Sequence, residues 1–172
     1  MNRKVTFFLP AALLLLVLTG CGQTVEEQTD EAMLSAREAF EMNRKQPTES
    51  IEGVEFYKPV GWKVDMQKDH HTFLISKRSQ TYTAQYDPTA KQDSHAYYDL
   101  LMADSEKEFI QQQTFSDSGV FGFAAIRAHG TSSVEVVTGS GPIQVTAIVE
   151  KEDLVAAIER MMEIARSMQL AS

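Results

Sequence analysis

The chain has 172 residues, with 16 basic against 24 acidic side chains and a formal net charge of −8. An acidic surface is repelled by phosphate backbones, which argues against nucleic acid as a partner, and a single cysteine excludes an internal disulfide. The length suits one ordinary domain behind a short leader.

In chain order, the first twenty residues read as three zones. Arg3 and Lys4 carry the positive charge, residues 5–18 are almost wholly apolar, and small residues precede Cys21. This is the pattern of a secretory signal peptide over residues 1–20. A membrane-spanning helix is the competing reading. At ~1.5 Å per residue the apolar run gives about 21 Å, short of a hydrocarbon core of roughly 30 Å, and Pro10 interrupts it.

Leu18-Thr19-Gly20-Cys21 resembles the lipobox of bacterial lipoproteins in all four positions. The resemblance implies a diacylglyceryl group on the Cys21 thiol, cleavage after Gly20, and fatty acyl chains such as palmitate anchoring the protein to a membrane. Each buried methylene contributes ~0.8 kcal/mol, so two chains hold where one does so only marginally. A lone reactive thiol in an oxidising compartment would otherwise be a liability. The expected location is the extracytoplasmic face of the cell membrane. Gly22 after the cysteine, rather than aspartate, allows the outer membrane if the cell has two. Losing Arg3 and Lys4 leaves 14 basic against 24 acidic residues and moves the net charge from −8 to −10. On that charge, lipid rather than a basic patch must hold the protein at the membrane.

Residues 21–50 read as a lipid-bearing cysteine followed by a helical linker. Thr24-Val25-Glu26-Glu27 fits a capping box, and Ala32, Met33, Ala36 and Phe40 form a thin apolar stripe. Acids gather early, Arg37, Arg44 and Lys45 late, as a helix dipole favours, and Pro47 ends the segment. The alanine-rich stripe predicts a helix that packs weakly or acts as a stalk.

From residue 51 the period changes to two. Strands are predicted at 54–58, 62–66, 72–78 and 81–86, with a Pro59-Val60-Gly61 turn, a polar turn over 67–71 and a Ser79-Gln80 hairpin. Trp62, Val64 and Met66 share one face, as do Tyr82, Ala84 and Tyr86. A helix is predicted from Asp93 or Ser94 to about Gln112, on the spacing of Tyr97, Tyr98, Leu101, Met102, Ser105 and Phe109. Further strands are predicted at 120–128, 133–138 and 143–149. Leu154, Ile158, Met161, Ala165 and Met168 then mark a long amphipathic C-terminal helix. The fold class is α+β, an antiparallel sheet of about six strands with helices packed on it, and residues 51–172 form one domain.

Over residues 51–170 the chain resembles the PsbP-like superfamily of α/β/α sandwiches. The opening strand with Pro59-Val60-Gly61-Trp62, the middle helix after Asp93, and the closing strand and helix over 143–168 carry the resemblance. It implies scaffolding or assembly roles and transfers no catalytic residue.

No chemistry is spelled out by motif. Asp69, His70 and His71 come nearest to a metal site, but neighbours in a turn rarely aim at one ion, so no metal and no cofactor are expected. His129 with Ser132 or Ser133 lacks an elbow and an orienting acid, and Gly139-Ser140-Gly141 does not supply the frame of a nucleophile elbow. Gly119, Gly122 and Gly130 match no nucleotide fingerprint, and Gly122 between Phe121 and Phe123 suggests a bulge or bend. Tyr82, Tyr86, Tyr97 and Tyr98 would line a groove or simply pack the core. Met161, Met162 and Met168 would form an adaptable surface or fill it. His95 reads as a helix-start residue. The expectation is a non-enzymatic lipoprotein that binds an envelope protein or small ligand; the alternative is an envelope hydrolase.

Overall fold

The computed structural model describes residues 24–106 and 108–170. Leu18, Thr19, Gly20 and Cys21 lie outside the described residues. In chain order the elements are α1 (Val25–Glu41), β1 (Glu49–Ile51), β2 (Val54–Phe56), β3 (Lys63–Met66), β4 (Thr72–Lys77), β5 (Gln80–Tyr86) and α2 (Ala96–Ala103). They continue with β6 (Phe109–Asp117), β7 (Val120–His129), β8 (Ser133–Ser140), β9 (Ile143–Glu150), α3 (Leu154–Ser167) and β10 (Gln169–Leu170).

The main sheet is antiparallel and has seven strands in the order β3-β4-β5-β9-β8-β7-β6. Helices α1 and α3 pack on one face, whose side chains include Phe73, Tyr82, Val145 and Val136. Helix α2 covers part of the other face through Leu101, over Phe123, Ala125 and Val137. The result is a three-layer α/β/α arrangement, with the long C-terminal helix where the apolar period placed it. The strand predicted at 54–58 does not join this sheet. As β2 it pairs with β1 and β10 in a separate three-stranded sheet.

Two further expectations are corrected. The middle helix was predicted to reach Gln112 but stops at Ala103, and residues from Phe109 form β6. Asp104 at the helix end places its carboxylate 2.6 Å from Arg127 Nη1 on β7. Arg127 also bonds Glu135 on β8, Nε to Oε2, at 2.7 Å. Beyond this pin, β6 and β7 close through Ser118 and Gly119, both at positive φ (51° and 77°), as a type I′ hairpin requires. Helix α1 also departs from its expected loose packing. Its capping box is present, with Thr24 Oγ1 accepting from the Glu27 amide (3.2 Å) and the Thr24 amide donating to Glu27 Oε2 (2.9 Å). Yet the helix does not pack weakly: Ala32, Ala36 and Phe40 are 0% exposed. Small alanines let the α1 backbone lie close to α3, so a narrow stripe buries fully.

Arg44 and Lys45 lie past the end of α1 and serve α3 instead. Arg44 donates from Nε to the Arg166 carbonyl (2.7 Å) and from Nη2 to the Met168 carbonyl (2.9 Å). These are carbonyls that a helix end leaves without intrahelical partners. Lys45 Nζ lies 3.1 Å from Glu163.

Gly122 is neither a bulge nor a bend; it sits in unbroken register between β6 and β8. A Cβ there would fall 2.3 Å from the ring of Phe40. Gly139, on β8, plays the same part on the other face, where a Cβ would fall 2.1 Å from the ring of Phe123. Each glycine therefore makes room for one aromatic ring on one side of the sheet. Gly122→Ala and Gly139→Ala are expected to destabilise the fold by about 1–3 kcal/mol each through overpacking, and Phe40→Ala by about 3–5 kcal/mol through loss of a buried ring. Urea unfolding midpoints measure both; an unchanged midpoint in Gly122→Ala would remove the close approach of ring to backbone.

Candidate functional site

A cleft of about 460 Å³ opens where the β4–β5 hairpin meets the end of β9 and the first turns of α3. Its floor is set by the Pro59-Val60-Gly61 turn. Gly61 takes φ 81°, and the Trp62 amide donates to the Pro59 carbonyl at 3.2 Å, which delivers Trp62 to the helix-covered face of the sheet. There it lies 4.6 Å, centroid to centroid, from Tyr82 of β5. Both rings are almost fully buried.

Arg160, half-buried on α3, closes the floor. Its Nη1 donates to the Tyr82 hydroxyl at 2.8 Å, and its guanidinium carbon sits 5.4 Å from the centre of the Trp62 ring. One hydrogen bond and one cation–π contact hold the guanidinium flat. Burial pushes the Tyr82 phenol above its ordinary pKa, and Asp153 adds to this, while the hydrogen bond and charge of Arg160 pull it back.

The hairpin supplies the rim. The sequence places its turn at Ser79-Gln80; the structure places it one residue earlier, with Lys77 paired to Gln80 across Arg78 and Ser79. Arg78 adopts φ 55°, a left-handed conformation that is uncommon for a residue with a long side chain. Lys77 Nζ reaches the Val60 carbonyl at 3.4 Å. Opposite the hairpin stand Glu150 and Asp153, and Asp153 Oδ2 accepts from Gln80 Nε2 at 3.1 Å. Five charged side chains thus line one cleft: Lys77, Arg78, Arg160, Glu150 and Asp153. Among the described residues, none of the five forms an ion pair.

The residues singled out by sequence go elsewhere, apart from Tyr82. Asp69 turns back on its own loop, its Oδ2 accepting from the Thr72 hydroxyl (2.6 Å) and its Oδ1 from the Thr72 amide (2.9 Å), which holds its carboxyl below the usual range. His70 meets Glu52 at 2.6 Å, and His71 meets the edge of the Tyr86 ring at 5.2 Å. These three side chains have separate partners, and the described residues hold no group of three or more His, Cys, Asp or Glu that could ligate a metal. Ser133 Oγ donates to the backbone carbonyl of His129 (2.7 Å), not to its imidazole. Ser140 is buried. His95 stacks on Phe121 at 3.7 Å. The four tyrosines divide. Tyr82 lies under the cleft, Tyr86 packs on Phe73 and His71, Tyr98 packs on Phe121 and Phe123, and Tyr97 joins the cluster beneath α2. Met161, Met162 and Met168 are buried and form core, not surface.

No family model matches the chain, and no curated protein matches it. Among solved structures it is similar to cyanobacterial PsbP (CyanoP) from Synechocystis sp. PCC 6803, with 12% identity and a TM-score of 0.46 over 76% of this chain and 93% of that one. A likeness at that level transfers neither function nor residue roles.

Removing Arg160 takes away the two influences that lower the Tyr82 phenol and leaves the two that raise it. Arg160→Gln should therefore move the Tyr82 titration further up, read as the difference in phenolate absorbance between each background and its Tyr82→Phe partner. A phenol whose folded pKa is raised contributes stability that is complete below the unfolded pKa and lost as pH climbs through the folded one. Tyr82→Phe should accordingly lose less stability than wild type above the ordinary phenol range. An identical alkaline stability profile would mean that Tyr82 titrates as if exposed.

Proposed function

We propose that this protein is a lipid-anchored, extracytoplasmic, non-enzymatic binding domain that takes its ligand in the Trp62–Tyr82–Arg160 cleft. The observation that carries the reading is a polar cleft whose charged groups converge without neutralising one another. Of the two hydroxyls in the cleft, Ser79 and Tyr82, the Tyr82 hydroxyl is committed to Arg160.

The start of α1 and the cleft belong to one end of the molecule. Asp30, early in α1, accepts from Gln111 near the start of β6 (2.9 Å), while Phe40, late in α1, packs on Phe115 near its end. Helix α3 runs the same way, from Glu150 at the end of β9 to Arg166, which reaches Asp117 at the end of β6 (3.0 Å). The starts of α1 and α3 therefore share the end of the sheet that carries the cleft. Cys21 precedes Thr24 by three residues, a span of at most about 10 Å. An acylated Cys21 would hold that end close to the bilayer. Val60, 91% exposed at the tip of the turn beside the cleft, belongs to the same end. Among the described residues no helix is long and apolar enough to cross a membrane, so in this reading attachment rests on the lipid.

Intact-mass analysis of membrane-extracted protein should show cleavage before Cys21 and a diacylglyceryl mass on it, and Cys21→Ala should release the protein from the membrane fraction. A photo-crosslinking residue at Ser79 should give an adduct in membranes that the same residue at exposed Gln112, on the far edge strand, does not give. An unprocessed leader, an unmodified sulfur, or equal labelling from both positions would overturn the reading.

A further inference from the structure

We infer that the cleft is built for a zwitterion, a ligand with an anionic group and an ammonium a few bonds apart and no large net charge. The inference rests on the binding reading above and names its ligand class. Three cations, Lys77, Arg78 and Arg160, and two carboxylates, Glu150 and Asp153, line the same cavity, and no ion pair forms among them. Charges of opposite sign on flexible side chains gain by closing on each other unless other contacts hold them apart. Here the contacts are visible. Arg160 is held on Trp62 and Tyr82, Asp153 by Gln80, and Lys77 by the Val60 carbonyl. A ligand with one group of each sign completes both sets at once.

The anion end is the better prepared. Among the described residues only Nη1 of Arg160 has a hydrogen-bond partner, which leaves the rest of its planar fork to meet a carboxylate or phosphate with two parallel hydrogen bonds. Arg78, carried at the rim by the two-residue loop of the β4–β5 hairpin, brings a second guanidinium to the same cavity. A plain polyanion is disfavoured, because Glu150 and Asp153 share the cavity and the chain as a whole is acidic. A plain cation meets three positive side chains. A cavity of about 460 Å³ accommodates a dipeptide or a lipid headgroup. Both offer the same chemistry: the dipeptide brings carboxylate and ammonium, and the phosphoethanolamine headgroup brings phosphate and ammonium. The headgroup would be presented at the bilayer to which the anchor brings this end.

Isothermal titration of the full chain separates the sources. The probes are dialanine and glycerophosphoethanolamine as zwitterions, with glycerophosphoglycerol, ethanolamine, N-acetyl-dialanine and dialanine amide as their single-charge counterparts. At least one zwitterion should bind at least about tenfold more tightly than each of its counterparts. Arg160→Lys, which keeps the charge over Trp62 but loses the fork, should weaken that zwitterion about tenfold. Glu150→Gln combined with Asp153→Asn should erase the preference over the anionic counterpart, with the thermal midpoint unchanged. Phosphatidylethanolamine vesicles competing with the soluble probe would assign the headgroup, and no competition the soluble source. The inference is overturned if neither zwitterion saturates the protein, if glycerophosphoglycerol binds as tightly as glycerophosphoethanolamine and N-acetyl-dialanine as tightly as dialanine, or if binding survives both sets of substitutions. If it fails while Ser79 still gives a membrane adduct, the binding reading stands and only the ligand class is lost.

Discussion

One ring against one backbone atom organises this molecule. Phe40 lies on Gly122, where any larger residue would place its Cβ inside the ring. The same ring meets Phe115 at 5.5 Å and the guanidinium of Arg166 at 4.9 Å. Four elements, α1, β6, β7 and α3, are thus tied through a single buried side chain. Without that contact α1 would be a solvated helix on a linker, as its thin apolar stripe suggests. With it, α1 forms part of the core from Thr29 to Phe40.

The rigid attachment of α1 has a consequence for orientation. Under the proposed anchoring, a flexible stalk would let the domain present any surface to the membrane. A helix capped at Thr24, buried on one face from Thr29 to Phe40, parallel to α3 and antiparallel to β9, fixes which end of the sheet lies nearest the start of α1. Arg44 adds to this by closing the last carbonyls of α3, so the two helices are locked at their ends as well as along their sides. The cleft between the β4–β5 hairpin and the start of α3 inherits that orientation, since Glu150 and Asp153 lead directly into α3.

Much of this was legible from the residues. The alternation of Trp62, Val64 and Met66, and of Tyr82, Ala84 and Tyr86, gave the correct faces for β3 and β5, because a half-covered antiparallel strand imposes a period of two. The four-three repeat from Leu154 to Met168 gave α3, and Thr24 with Glu27 gave the start of α1. The middle of the chain was not legible. Leu101, Ser105 and Phe109 keep a helical interval straight through the point where α2 ends. Gln111, Gln112 and Gln113 are better helix formers than strand formers. What overrides them is tertiary: the pin from Asp104 to Arg127 and the pairing of β6 with β7 from Val120 to Arg127. Local propensity is worth tenths of a kcal/mol per residue, and a full ladder of strand contacts outweighs it.

The cleft was hidden for a different reason. Its chemistry is a relation between residues up to 98 positions apart, Trp62 to Arg160, and neither belongs to a spacing motif. Arg160 reads in sequence as one more charge on the solvent side of an amphipathic helix. It acquires a role only because the Pro59-Val60-Gly61 turn slides Trp62 beneath it and β5 raises the Tyr82 hydroxyl to meet it. The left-handed φ of Arg78 is likewise invisible, since the residue type gives no sign of it and only the two-residue loop between paired Lys77 and Gln80 demands it. Histidines and serines attracted attention because they carry chemistry alone. The groups that converge here are ordinary surface charges, and what sets them apart is that other contacts hold Arg160, Asp153 and Lys77 without an ion pair forming between them.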